Sequence, residues 1–266
     1  MRKDTNELFF QLVALMVSII LVHAVYVTVV RPNADSIINH AAEVAAAGGE
    51  FVVPRTFFVV IKDFEQEACF ILMFWALAIM GYKTRTALRE SRMLDMPLVS
   101  VAEGTRILPG DAGQLVRPLQ SLPGKQQAFL LPRALSTSLS RFQVTASVEA
   151  ATEAAHSACE TESARLESEL SMVRYITWAI PSIGFIGTVR GIGAALGRAH
   201  EAMAGDIAGV TASLGVAFNS TFVALLISMV VMFFMHQLQL IQERLVLDTY
   251  SYCENRLLRF LKSQNA

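Results

Sequence analysis

The sequence predicts an all-α integral membrane protein with four transmembrane helices and long water-facing helical extensions. Three observations carry that expectation. Only 17% of the 266 residues are Asp, Glu, Lys or Arg and 53% are hydrophobic, whereas soluble domains carry about 25% charge. The mean hydropathy is +0.45. The charges are also segregated: runs 8–30, 68–82, 175–189 and 207–242 contain none, and the other 177 residues hold all 45 of them, a normal 25%. A chain this apolar is not intrinsically disordered. Its net charge of −1 gives no bulk basic character for nucleic acid. Cys69, Cys159 and Cys253 are odd in number and far apart, so neither a disulfide framework nor a metal spacing is visible.

A helix needs roughly 20 apolar residues to cross the hydrocarbon layer. Residues 1–30 are read as an N-terminal tail and a first span, Leu8 to Val30. Asp4 and Glu7 precede the run and Val22-His23-Ala24 is a poor cleavage match, so we read a retained helix rather than a signal peptide. Residues 31–63 are expected to form an outer loop with a short helical stretch, DSIINHAAEVAAA, ended by Gly48-Gly49. The second span is placed at 64–82, with segment 56–67 continuing the same helix into water and Lys83 snorkelling at its inner end.

Residues 83–171 are read as a cytoplasmic helical domain. Pro97, Pro109, Pro118 and Pro123 make 97–124 irregular, whereas 134–171 lacks Gly and Pro and predicts one long helix running unbroken into the third span. Glu149, Glu153, Glu160, Glu162, Glu167 and Glu169 are assigned to its wet faces. The third span is 172–197, a short loop covers 198–206, and the fourth span is 207–240 with a separate C-terminal helix at 241–266. The run 207–242 has 36 residues, about 54 Å of helix, and should project beyond the bilayer. With the N-terminus inside, the inner segments hold 17 Lys and Arg against 5 outside, so both termini are expected to be cytoplasmic. The cluster Lys83, Arg85, Arg89 and Arg92 marks the inner end of the second span and is a candidate for force transmission or docking.

No catalytic constellation is visible, so no enzyme activity, metal or cofactor is expected. His23 and His236 are lone histidines in apolar runs, read as packed or interfacial. The glycines of GFIGTVRGIG follow no strand and lie within a membrane helix, which excludes a phosphate-binding loop. Gly184, Gly187 and Gly191 instead fit the spacing that lets membrane helices approach closely, and Ser213, Ala217, Ser220, Ala224 and Ser228 form a similar small face. Pro181 frees a carbonyl within the third span. Thr188 and Thr221 fall at similar depth on antiparallel helices, where two hydroxyls can line a hydrated ion path or bond their own backbone. None of the four uncharged runs contains a carboxylate. A proton pathway normally uses one, so another polypeptide would have to supply it.

These residues are familiar as a set. Arg174-Tyr175, then Ile180-Pro181-Ser182-Ile183-Gly184-Phe185-Ile186-Gly187-Thr188-Val189-x-Gly191-Ile192, resembles the signature of the MotA/TolQ/ExbB proton-channel family. Leu214-Gly215-Val216-Ala217-Phe218-Asn219-Ser220-Thr221-Phe222-Val223-Ala224-Leu225-Leu226 looks like that family's last membrane helix. The resemblance covers roughly 160–245. It implies a homopentamer in the bacterial inner membrane, around a dimeric single-span partner of the MotB/TolR/ExbD kind that contributes a transmembrane Asp. Ion flow, of H+ or alternatively Na+, would drive rotation and mechanical work. Thr188 and Thr221 match the family's pore threonines, and Pro181 its helix-three proline. Four spans resemble the MotA layout and the Gly-Thr-Val string resembles TolQ/ExbB, so no subgroup is assigned. Arg190, where relatives often carry Trp, is given a snorkelling or intersubunit role. A non-conducting membrane scaffold is the alternative from another class.

Overall fold

The computed structural model describes residues 2–46, 55–99, 106–205 and 207–262; among them the only β feature is one isolated parallel bridge, Ile107 with Leu261. Four helices are long and apolar enough to cross a membrane: Glu7–Val44, Phe64–Ser91, Val148–Gly197 and Ala208–Phe260. The chain divides into two compact units, Met1–Gly81 with Met172–Met235 and Tyr82–Ser171 with His236–Ala266.

In the first unit, α1 (Arg2–Val25) passes through a π-helical stretch (Tyr26–Val30) into α2 (Arg31–Ala46). The expected loop from residue 31 is therefore helical up to Ala46, and Gly48-Gly49 lie outside the described residues. Pro32 has no N–H and its ring clashes with a standard helical ladder. The π stretch opens the ladder just before it, and Asn33 Nδ2 donates to the Val29 carbonyl at 2.7 Å. The expectation that 56–67 continues the second span is also corrected. A short α3 (Phe57–Ile61) ends before α4 (Phe64–Ser91), and Lys62-Asp63 break the chain between them. Val59 and Ile61 are buried, so this segment is packed rather than wet. Gln66 Nε2 holds the break by donating to the Val60 carbonyl at 3.1 Å.

The third and fourth long apolar helices are α9 (Ser171–Gly197) and α11 (Ala208–Arg256), with α10 (Ala199–Met203) between them. The expected boundary at 240 is absent, because no Gly or Pro interrupts 216–256. The core of this unit is made of small side chains and its outside of large ones. Trp178, Phe185, Phe222 and Met229 are exposed, whereas Gly184, Gly187, Gly191, Ala217 and Ser220 are buried. A surface this apolar suits hydrocarbon or another protein, not water.

In the second unit, residues 106–124 are more ordered than their prolines suggested. Helix α5 (Ala112–Gln120) carries Pro118 inside it and buries Ala112, Val116 and Leu119. That i, i+4, i+7 stripe outweighs the one lost backbone bond. After α6 (Gly124–Gln127), the expected single helix from 134 is two helices, α7 (Leu130–Thr145) and α8 (Val148–Glu169). Ala146 ends α7 in the left-handed region, φ 53°, and Ser147 caps α8 by accepting from Ala150 N at 3.2 Å. A one-residue turn at Leu170 then separates α8 from α9. Leu131, Leu135, Leu139 and Phe142 of α7 form the core with Ala151 and Ala155 of α8 and Cys253 and Leu257 near the chain's end.

Glu162 is corrected from a wet-face acid to a buried one, 2% exposed. Arg133 Nη2 donates to its carboxylate at 2.5 Å and Arg165 grips both of its oxygens. Burial pushes this carboxyl up, but the hydrogen bonds from Arg165 and Arg133 outweigh it and leave the group below its ordinary range. Lys83 is also corrected: it is buried and its ammonium pairs with Glu169 at 2.8 Å, so it is not a docking side chain.

The α9–α11 contact generates a stability prediction. A Cβ at Gly191 would meet the Ala217 backbone nitrogen at 2.7 Å, whereas at Gly193 it would meet nothing. Gly191→Ala should destabilise the detergent-solubilised chain by about 1–3 kcal/mol, and Gly193→Ala should be neutral or mildly stabilising. Thermal unfolding of both variants checks the contrast, and equal effects would contradict the packing.

Candidate functional site

The site is built on the crossing of α9 and α11. Gly184 faces Ala224, Gly187 faces Ser220 and Gly191 faces Ala217. A Cβ at any of the three would come within 2.5–2.7 Å of the facing residue, so only glycine fits there. The residue numbers fall on one helix as they rise on the other, so the helices are antiparallel here. The small faces found in the sequence therefore pack against each other within one chain.

This close approach brings Thr188 and Thr221 together. Their hydroxyls are hydrogen-bonded to each other. Thr221 Oγ1 also lies 3.1 Å from the Gly184 carbonyl, and Thr188 Oγ1 lies 3.1 Å from the Ala217 carbonyl and 3.3 Å from that of Gly184. Two hydroxyls hold two hydrogens. Either Thr188 donates to Thr221 and Thr221 to Gly184, or Thr221 donates to Thr188 and Thr188 to Ala217. The pair thus has two hydrogen-bond polarities of similar geometry. Both threonines are half-buried.

Pro181 lies one turn before Gly184. It cannot bond the Thr177 carbonyl, and Ser228 Oγ donates to that carbonyl at 3.2 Å instead. Cys69 Sγ of α4 approaches the neighbouring Ile180 carbonyl at 3.7 Å. The helix fault that the sequence placed here is satisfied by side chains of the two packed helices, as hydrocarbon requires.

The first turn of α4 adds a polar layer that the sequence reading assigned to water. Arg190, two residues after Thr188, forms a two-pronged pair with Glu65: Nε to Oε1 at 2.7 Å and Nη2 to Oε2 at 2.7 Å. Its partner is thus within the chain, in place of the snorkelling or intersubunit role expected. Gln66 is fully buried and its Nε2 lies 3.5 Å from Ser220 Oγ, while its Oε1 has no partner within the described chain. Glu67 receives His23 Nδ1 at 2.7 Å and Arg31 Nη2 at 2.5 Å, which ties α1 and α2 to α4 and gives lone His23 its role. Asp63, just before this turn, is pushed above the usual carboxylate range by burial, with Lys62 acting the other way. The missed signal was the complementarity of one arginine in an otherwise apolar helix and the Glu-Gln-Glu string opening α4.

Arg85 and Arg89 of α4 and Arg92 just after it belong to the second unit and are exposed. Among the described residues, no three His, Cys, Asp or Glu side chains gather as a metal site.

The fold and the site define a multi-pass helical membrane protein with a hydroxyl-bearing helix pair. Residues 126–250 match the model of the MotA/TolQ/ExbB proton channel family. That is the family its motifs resemble; it is a channel family rather than an enzyme family, and the match assigns no subgroup. No curated protein and no solved structure matches the chain. The matched residues include the Thr188–Thr221 pair, Pro181 and all three packing glycines, whereas Glu65, Gln66 and Glu67 lie before them.

The Glu65–Arg190 pair is testable by charge exchange. Arg190→Glu should destabilise the chain and Glu65→Arg with Arg190→Glu should recover most of the loss. The coupling should be about 1 kcal/mol, at the upper end for a pair with one exposed partner. A double-mutant cycle on thermal unfolding measures it, and zero coupling would show that the two side chains act independently.

Proposed function

We propose that this chain is the ion-conducting subunit of a rotary stator driven by the proton motive force. In this reading it forms a homopentamer in the bacterial inner membrane, with both termini cytoplasmic. It surrounds a dimeric single-span partner of the MotB/TolR/ExbD kind, and ion flow between the two is coupled to mechanical work. The observation that carries the reading is the Thr188–Thr221 hydroxyl pair, half-buried between two apolar helices.

The division of chemistry follows from where the charges are. The four uncharged runs contain no carboxylate. The acids in the first turn of α4, Glu65 and Glu67, are already engaged by Arg190, His23 and Arg31. The titrating carboxylate is therefore assigned to the partner's transmembrane Asp. A proton binds that carboxylate on the outer side, the neutral acid passes the apolar wall, and the proton leaves towards the cytoplasm. Thr188 and Thr221 orient water or the ion beside it, and their two bonding polarities let the pair serve as donor in one state and acceptor in the next. Hydroxyl and carbonyl oxygens also suit Na+, which makes sodium the alternative ion.

One observation weighs against a non-conducting scaffold. That reading needs the small faces of α9 and α11 to be free for assembly, and they are occupied by each other.

Hydrogen bonds between membrane helices contribute on average about 0.6 kcal/mol, so removing these hydroxyls should leave the helix pair assembled. Thr188→Ala and Thr221→Ala, purified with the partner, should therefore keep the complex intact while lowering proton flux into vesicles by about tenfold or more. Serine at either position should retain most of the flux. Unchanged flux in both alanine variants would refute the assignment, and the same assay with sodium identifies the ion.

A further inference from the structure

The charged faces of the second unit form two stripes, one basic and one acidic. Arg85 and Arg89 of α4 and Arg92, whose N–H still bonds the Leu88 carbonyl just past its end, recur at i, i+4 and i+7, so they share one face, and all three are exposed. Lys83, Ala87 and Glu90 occupy the opposite face and are buried. Among the described residues, none of the three arginines has an acidic partner. On α8, Glu149, Glu153 and Glu160 also share one exposed face, opposite the buried Ala151, Ala155 and Glu162. Among the described residues, Glu160 pairs only with His156 of its own helix, at 3.6 Å, and its side chain is 69% exposed.

The two stripes overlap in height at Glu160. Lys83 pairs with Glu169 at 2.8 Å. Further along α4, Glu90 accepts from Leu130 N at 3.2 Å and acts electrostatically on Arg165, and Arg133, in the same first turn of α7 as Leu130, pairs with Glu162. Moving forward on α4 thus means moving back on α8, and the helices are antiparallel. Nine residues forward from Lys83 is Arg92, and nine back from Glu169 is Glu160. Arg92 and Glu160 therefore lie level along the helix axes, and exposed Glu167 is level with Arg85 by the same count.

We propose that these stripes form an ion-pair seam between neighbouring copies of this chain, with Arg92 of one copy against Glu160 of the next. The inference rests on the homo-oligomer reading above and specifies which surfaces meet. Rotation about a ring axis along the helices leaves height unchanged. Groups that are level in one copy stay level with those of the next, so complementary stripes at equal height close a ring. Stripes at different heights would not. The exposure of both sides makes the seam a determinant of register more than of affinity, and salt should loosen it.

The test uses full-length chains carrying two different tags, co-expressed with the native thiols in place, since Cys69, Cys159 and Cys253 are all buried. One chain carries Arg92→Cys and the other Glu160→Cys, and mild oxidation is followed by detection of mixed dimers. A disulfide needs Cα atoms within about 7 Å. The mismatched pair Arg85→Cys with Glu153→Cys is about 21 Å out of level. Mixed dimers of the matched pair should exceed those of the mismatched pair roughly fivefold or more. Equal yields, or no mixed dimer from a chain that native mass spectrometry shows to be oligomeric, would overturn the seam. A monomeric unmodified chain would overturn the oligomer reading and the seam together.

Charge exchange guards against a folding artefact. Arg92→Glu and Glu160→Arg should each lower the salt concentration at which the oligomer dissociates, and the two together should restore it. An anionic lipid surface as the true occupant of the arginines would leave Glu160→Arg without effect, which also overturns the seam.

Discussion

Close approach of α9 and α11 is the constraint on which the site depends. At Gly184, Gly187 and Gly191 the facing atoms already occupy the space that a Cβ would take. Only this separation lets two short threonine side chains reach each other and the opposite helix's carbonyls. Packing provides the contact and the hydroxyls use it. Each hydroxyl bond is weak beside the cost of forcing a methyl group into a close-packed seam. The same proximity satisfies the carbonyl freed by Pro181, because Ser228 lies within reach of Thr177.

Charge is handled differently from hydroxyls. Arg190 is the one arginine between Tyr175 and Gly197, and the break at Lys62-Asp63 lets Glu65 meet it. A continuous helix through 56–67 would have placed this turn differently. Glu67, two residues on, draws His23 and Arg31 to the same turn, so α1, α2, α4 and α9 all converge on Glu65–Glu67. Glu65 and Glu67 are thereby compensated, and the side-chain groups that meet at the crossing are hydroxyls. Such a wall suits an ionisable group brought by another polypeptide.

The apolar runs, the small-residue faces, the freed carbonyl and the pairing depth of Thr188 and Thr221 were all legible in the sequence. Each depends on local composition and helical periodicity, which a single chain displays directly. What was not legible depends on tertiary contact. Val59 and Ile61 look like part of a wet helix until their burial is known, and Pro118 looks like a breaker until the stripe around it is packed. Lys83 and Glu162 carry the signature of exposed charge, but Glu169, Arg133 and Arg165 bury them as pairs. Ala146 gave no sign of its left-handed conformation, since glycine or asparagine is the usual residue there.

In the proposed function, this chain forms the hydroxyl wall of an ion path and its partner carries the titrating group. Proton flux into lipid vesicles tests it most directly, comparing the chain alone, the chain with its single-span partner, and the same complex with the partner's transmembrane Asp changed to Asn. Flux is expected only from the second preparation. Equal flux from the chain alone, or flux that survives the Asp→Asn change, would contradict the claim.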